Sequence, residues 1–409
     1  MNIGVVIPEV GGFSPLSLEF SKWQQVMINL GHKVTIFTGK LNGKAKNATV
    51  MSNIHPEHES NIELCNHIFS NQSHDQGIVN DVEKTSDSIK SVLENWFKQE
   101  QLDVLIIENY LSVPINIAMS YALFKLFKEI DCVKLIKHHD AFYRNSLNEF
   151  TKSDFIKKVI LSCFPINDEK TFHIATNRLI KTYLKEKCNV DSIVIPYVLD
   201  TSHQEKIIEH PIQLKKGFRI NHNDKLLLNF SYLTPNISIE KIFKLLKNIN
   251  DKRLKVVLIG KKSSEFEDYE SYLNDQIKKQ HLQRRLCIIS EHDLMSNESL
   301  DIHQICESAK GIISLDYGAS FGQPLLFGIQ HKCPILICPK SKLQWLEIED
   351  LGCESLEIST ELTSVDIESI NYIINTDTNW GEKNYKRIKQ FYSTKLLEHL
   401  IGSMFQDNS

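Results

Sequence analysis

The sequence predicts an α/β protein built from two doubly wound, parallel-sheet domains, and three observations carry that expectation. Short apolar runs alternate with helix-compatible segments through the first half of the chain. The alternation halts at a polar stretch between Pro196 and Pro211 and then starts again. The runs are apolar at nearly every residue, as strands are when helices cover both faces of a parallel sheet. A chain of 409 residues is also too long for one compact core.

In chain order, the expected strands of the first half are residues 3–7, 34–38, 104–107, 133–136, 173–175 and 193–195. Expected helices cover residues 16–30, 81–98 and 115–129. Residues 41–76 are the least patterned part, rich in Asn, Ser, Lys and His. They read as a loop or small insertion, or alternatively as a lid over a substrate. The second half restarts with strands at residues 226–230, 256–259, 286–289, 312–314 and 335–338. Residues 384–405 read as a terminal amphipathic helix.

The most informative stretch runs from Gly311 to Pro339, G-I-I-S-L-D-Y-G-A-S-F-G-Q-P-L-L-F-G-I-Q-H-K-C-P-I-L-I-C-P. An apolar run ends in a glycine-rich turn, a proline opens a helix, and a second apolar run follows. Gly318 and Gly322 stand at the carboxyl end of a strand, just before the helix opening at Pro324. Backbone amides at such a turn form an anion site, so nucleotide or phosphate chemistry is expected there. Gly11 and Gly12 occupy the matching position after the first strand.

Bulk properties narrow the classes. A net charge of −4, with no basic cluster interleaved with aromatics, argues against nucleic acid as a partner. Nine scattered cysteines without a C-x-x-C pair read as reduced thiols in a cytoplasmic protein. No apolar stretch reaches the roughly 18–20 residues that a bilayer span needs. Two segments, residues 123–128 (L-F-K-L-F-K) and 155–164, mix Lys with apolar residues at helical spacing. They read as core-facing helices with a solvated edge, or as peripheral contacts with the inner face of a membrane. No D-x-D or His/Cys ligand spacing stands out. His138 and His139 are neighbours in an extended run and point to opposite faces, so neither a metal nor a resident cofactor is expected.

Taken in order, several segments resemble one family. V-V-I-P-E-V-G-G-F-S-P-L-S-L-E-F, with Gly11 and Gly12, is similar to its first strand, glycine turn and helix. L-G-H-K-V-T-I-F-T, I-K-H-H-D-A-F-Y-R with His139 and Asp140, V-I-P-Y-V-L-D, and V-V-L-I-G-K-K with Lys261 and Lys262 follow in the family's order. The chain resembles the nucleotide-sugar-dependent glycosyltransferases of GT-B architecture, specifically the large retaining family numbered 4. That resemblance implies two Rossmann-like domains facing across a cleft: residues 1–200 on the acceptor side and residues 201–384 on the nucleotide-sugar side. Residues 385–409 would pack back onto the first domain. It implies a catalytic pair, His139 and Asp140, facing the sugar. Donor contacts would come from Gly11, Gly12, Ser320, Phe321 and Gly322; Lys261, Lys262 and Asp316 lie near the expected pocket as substitutes for the family's charged anchors, and the two lysines read alternatively as a solvated loop pair. The donor would be a co-substrate, and the acceptor a carbohydrate or lipid-linked hydroxyl.

The sequence departs from the family at the donor site. The pattern E-G-F-G-x-P-x-x-E is here A-S-F-G-Q-P-L-L-F, with Ala319 and Phe327 in place of the two glutamates. A shifted alignment puts Tyr317, still not an acid, at the first of them. Tyr232 and Ile237 stand where the family carries a cationic pair, and Tyr197 and Val198 replace Asn and Gly at the hinge. Two readings therefore stand. One is an active hexosyltransferase, retaining and metal-independent. The other is a degenerate, glycosyltransferase-like accessory subunit that serves a partner glycosyltransferase.

Overall fold

The computed structural model describes the whole chain apart from residues 13, 44–46, 70–74, 142–150, 201–207, 231–232, 236–238, 261–265, 267, 298–299, 316–322, 338–349, 360 and 407–409. The chain divides into two compact units, Met1–Pro196 with Leu397–Ser409, and Tyr197–Leu396. Each is organised around its own parallel sheet.

Among the described residues the first unit holds seven parallel strands: β1 (Asn2–Val10), β2 (Lys33–Leu41), β3 (Ala48–Val50), β4 (Val104–Glu108), β5 (Val133–His138), β6 (Thr171–Ala175) and β7 (Ile193–Val194). Their order is β3-β2-β1-β4-β5-β6-β7. The chain thus winds outward from β1 to β3, returns to β4 beside β1, and winds outward on the other side. That reversal places a crevice at the carboxyl ends of β1 and β4. Apolar side chains from both central strands are almost wholly buried, Val5, Val6, Leu105, Ile106 and Ile107 among them.

Helices pack on both faces of this sheet. The helix α1 (Pro15–Asn29) starts on a Ser14 cap whose hydroxyl accepts from the Ser17 N–H, with Pro15 in the first turn, and it buries Phe20, Trp23, Val26 and Met27. On the opposite face, Ile78, Val82, Ile89, Leu93 and Trp96 of α3 (Asp75–Glu100) join Leu123, Leu126 and Phe127 of α4 (Ile117–Phe127) in one apolar cluster with Val6, Leu105 and Ile136. Residues Asp154–Cys163 form a further helix that adds Ile156, Val159 and Ile160 to that cluster.

The polar stretch 41–76 is more ordered than its composition suggests. It supplies the edge strand β3, a single 3-10 turn at Ser52–Ile54 and the helix α2 (Glu59–Phe69). Ile54 and Ile68 are fully buried, and the Ile54 carbonyl accepts from Tyr110 Oη at 2.8 Å. His55 and Asn61 are buried as well, and Met51, Leu64 and Phe69 pack against the same apolar cluster, so the segment is anchored at several points along its length.

In the second unit six parallel strands among the described residues follow the order β12-β11-β10-β13-β14-β15, the same winding as in the first. They are β10 (Lys225–Phe230), β11 (Leu254–Gly260), β12 (Leu286–Ser290), β13 (Ala309–Ser314), β14 (Ile335–Ile337) and β15 (Ser355–Glu357). A short antiparallel hairpin, β8 (Ile212–Lys215) with β9 (Phe218–Ile220), precedes them. Leu227, Val256, Leu258, Ile288 and Ile313 line one face of the sheet, under Ile242, Leu245, Leu246 and Leu273.

The expected single terminal helix is two helices, Trp380–Phe391 and Thr394–Gln406. The break coincides with an interaction from a distant residue: Leu199 N–H donates to the Tyr392 carbonyl at 2.7 Å, and Leu199 bridges Ser393. A carbonyl drawn out of the helical ladder in this way ends the helix. Phe405, near the chain end, meets the His32 ring edge-on at a centroid distance of 5.2 Å.

Among the described residues no helix is long and apolar enough to cross a membrane. The L-F-K-L-F-K stretch lies in α4. Leu123, Leu126 and Phe127 are buried, Lys125 Nζ reaches Asp87 Oδ1 at 2.7 Å, and Lys128 Nζ sits 4.0 Å from the Phe124 ring centroid. Of residues 155–164, Ile156, Val159, Ile160, Cys163 and Phe164 are buried, and Leu161 is 49% exposed.

Candidate active site

The carboxyl rim of the first sheet gathers charged side chains onto strands that are otherwise apolar. Glu108 is the last residue of β4, and the parallel register sets it beside Lys137 of β5. Alternation along β5 sends Lys137 and His139 to one face and His138 to the other. Glu108 therefore meets both side chains of its face. Its Oε1 lies 3.4 Å from Lys137 Nζ and its Oε2 lies 2.5 Å from His139 Nε2. All three side chains are 3% exposed or less.

Burial alone would push the Glu108 carboxyl up, but Lys137 and His139 outweigh it and hold the group below its ordinary value. An ionised carboxylate only accepts, so the proton shared at this contact is carried by His139 Nε2. The network continues into α1. Lys137 Nζ stands 4.0 Å from the Trp23 ring centroid, and Trp23 Nε1 donates to Glu19 Oε1 at 3.1 Å. Glu19 Oε2 in turn accepts from Lys22 Nζ at 2.9 Å.

His138 faces the other side of the sheet. Its Nε2 is 3.0 Å from His173 Nδ1, and the two rings stack. Burial, then the neighbouring His173 and His139, drive the His138 pKa well below the usual imidazole value. Burial also takes His173 down to about 4, against a smaller opposing pull from Asp168. The two imidazoles therefore share a proton as a neutral pair.

The glycine turn after β1 lies on the same unit. Gly11 has φ +79°, and a Cβ there would fall 1.9 Å from the Asn42 carbonyl oxygen, so the turn is closed to any larger residue. Gly12 is buried and donates its N–H to Ser17 Oγ at 3.1 Å. What the turn presents is thus a close backbone approach at Gly11, while the Gly12 amide is engaged by α1. Asp140 follows His139 and is half-buried.

In the second unit the expected donor residues Lys261, Lys262, Asp316, Ser320, Phe321 and Gly322 lie outside the described residues, as do Ala319, Tyr317, Tyr232 and Ile237. The strand and helix on either side of the 316–322 turn are described: β13 ends at Ser314, and a helix covers Gln323–Gln330. Asn229, buried in β10, donates from Nδ2 to the Ile313 carbonyl at 2.7 Å and ties the two strands just below that rim. Phe327, where the resemblance expects the second glutamate, packs into a ring cluster. Its centroid is 5.7 Å from Phe230, 5.3 Å from His303 and 4.9 Å from His331. The histidines contact each other, His303 Nδ1 to His331 Nε2 at 3.1 Å.

Glu108, Lys137 and Trp23 had not been singled out in the sequence. The available signal was a charged residue closing an otherwise apolar strand, in L-I-I-E and L-I-K-H, since such residues are buried only when paired.

No established protein-family profile matches the chain. It is 24% identical over 358 residues to mannosylglucosylglycerate synthase of Petrotoga mobilis, covering 82% of each chain. Sucrose-phosphate synthase of Thermosynechococcus elongatus superposes with a TM-score of 0.65 at 11% identity, over 100% of this chain and 98% of that one. HepE of Anabaena, solved with UDP and glucose, gives 0.64 at 12% identity over 100% of both chains. The winding of the two sheets and these full-length superpositions lead to one conclusion: the chain has the GT-B glycosyltransferase fold, with two Rossmann-like units.

Proposed function

We propose that the protein is a nucleotide-sugar-dependent glycosyltransferase that moves a hexosyl group onto a hydroxyl acceptor, as a member of the retaining family 4. The observation that carries the reading is the pairing of similarity, over 82% of each chain, to a mannosylglucosylglycerate synthase with a polar rim on the first sheet. A sheet carboxyl rim is where open α/β units bind ligands.

In this reading His139 and Asp140 meet the sugar, with His139 oriented by Glu108. The Gly11 turn admits the sugar–phosphate. Ser320, Phe321 and Gly322 hold the diphosphate with backbone amides, assisted by Lys261 and Lys262, and Asp316 acts as an acid near the turn. Catalysis of this kind consists mainly of stabilising the charge that grows on the departing diphosphate, and fixed amide donors can supply that. The name of the Petrotoga relative makes a glycosylated glycerate, a small anionic glycoside, the first acceptor to try.

The experiment is a donor panel. Calorimetric titration with UDP- and GDP-hexoses should show one donor that binds. Incubation of that donor with glycoside acceptors, glucosylglycerate included, should give a product one hexose heavier. Neither binding nor transfer nor hydrolysis across the panel would return the chain to the accessory-subunit reading.

A further inference from the structure

The Glu108–Lys137 pair is costly to bury. Taking a carboxylate and an ammonium out of water costs several kcal/mol per ion, and apolar residues of similar volume usually serve stability as well or better. Stability alone therefore gives no reason for the pair. Its position does. Glu108 closes β4 and Lys137 lies one residue from the end of β5, so both stand at the carboxyl rim. Each member reaches a different element: Glu108 contacts the His139 ring, and Lys137 lies over Trp23 of α1. The helix that begins at the Gly11 turn and the loop that carries His139 are thereby joined through one buried chain, Glu19–Trp23–Lys137–Glu108–His139.

We infer that Glu108 and Lys137 are positioning residues: together they hold the His139 ring in a single tautomer and a single orientation relative to α1. The inference rests on the proposed role of His139 at the sugar. Glu108 acts directly on the ring, by accepting from Nε2. Lys137 acts one step removed. It fixes the carboxylate through the other oxygen and is itself fixed by the Trp23 face, where a desolvated ammonium is well placed. Without Lys137 the carboxylate remains but is free to rotate. Without Glu108 the imidazole loses the acceptor that selects its tautomer.

The test has a structural arm and a kinetic arm. In the wild-type protein, nitrogen-15 and proton NMR of the His139 ring should show a solvent-protected, strongly downfield Nε2 proton. That proton should vanish in Glu108→Leu, which removes the acceptor, and broaden in Lys137→Met. In transfer assays Lys137→Met is expected to lower kcat about tenfold or more while KM for the donor stays within about twofold, the pattern of lost alignment rather than lost binding. The decisive comparison is a double-mutant cycle with His139→Ala. If Lys137 works through His139, Lys137→Met has no further effect once the ring is gone.

Additive losses in that cycle would overturn the inference, leaving Lys137 as a structural residue. So would a wild-type His139 ring without a protected Nε2 proton, which needs no variant to fold. If His139→Ala leaves transfer intact, the proposed site fails instead. The cycle thus separates the failure of this inference from the failure of the reading beneath it. Trp23→Phe keeps the core filled while removing the indole N–H, and should give a weaker version of the Lys137→Met kinetics; unchanged kcat in that variant counts against the α1 link.

Discussion

The two units share a winding order but differ in what stands at the carboxyl rims of their sheets. In the first, the rim is ionic: Glu108, Lys137 and His139 form a buried, charge-assisted network. In the second, the described part of the rim is aromatic: Phe327 sits among Phe230, His303 and His331. One scaffold thus carries two chemistries, because the sheet fixes only where side chains converge and leaves their type to the sequence. The difference also predicts opposite sensitivities. An ionic rim fails when one partner is removed and a charge is stranded; an aromatic rim fails when volume is removed.

The largest effect is expected from Glu108→Ala. The substitution leaves the Lys137 ammonium buried without its carboxylate and removes the acceptor of His139. Breaking a buried pair by deleting one member costs about 3–5 kcal/mol. Urea denaturation should show a loss of that order, with the fold of the second unit retained. A loss below about 1 kcal/mol would mean that the ionic rim is hydrated in solution and not the closed network described above.

A smaller effect separates the two faces of β5 by pH. Unfolded His138 and His173 rings take up a proton near pH 6.5, whereas the folded His173 does so only at about 4. Between those values the unfolded state binds more protons, so the contribution is complete above about pH 6.5 and is lost as the pH falls toward about 4. For His173 the loss is on the order of 3 kcal/mol. Glu108 acts in a lower window. Its folded pKa is depressed, so its contribution holds above the ordinary carboxylate value near 4.5 and fades only below it. Unfolding midpoints recorded from about pH 8 down to about pH 5 should therefore slope with the histidine pair as the main buried contributor, and not because of Glu108. His173→Asn should flatten that slope. A slope unchanged in the variant would place the responsible group elsewhere.

How much of this could be read in the sequence follows from how each feature is encoded. Central strands were legible because β1, β4, β10 and β11 are buried on both faces and so carry continuous apolar runs. Edge strand β3 was not, because Thr49 and Val50 are exposed and the strand is three residues long. His139 and the Gly11 turn were legible through short local motifs. The partnership of Glu108 with Lys137 was not, since 29 residues separate them and only the β4–β5 register brings them together. The broken terminal helix was hidden for the same reason: its break depends on Leu199, a residue far away in the chain.

Phe327 offers the finest test of the contrast. Its ring is half-buried, so truncation to Ala should cost less than the 3–5 kcal/mol typical of a fully buried phenylalanine, about 1–3 kcal/mol. Phe327→Leu keeps most of the volume but gives up the edge and face contacts with Phe230 and His331. If Leu recovers nearly all the stability lost by Ala, the second rim is held by volume. If Leu recovers only half, ring geometry contributes in its own right, at the roughly 0.5–1.5 kcal/mol that aromatic pairs add beyond area. Either result fits an aromatic rim. A Phe327→Ala protein as stable as wild type would not, because it would leave the cluster without energetic weight and remove the contrast with Glu108.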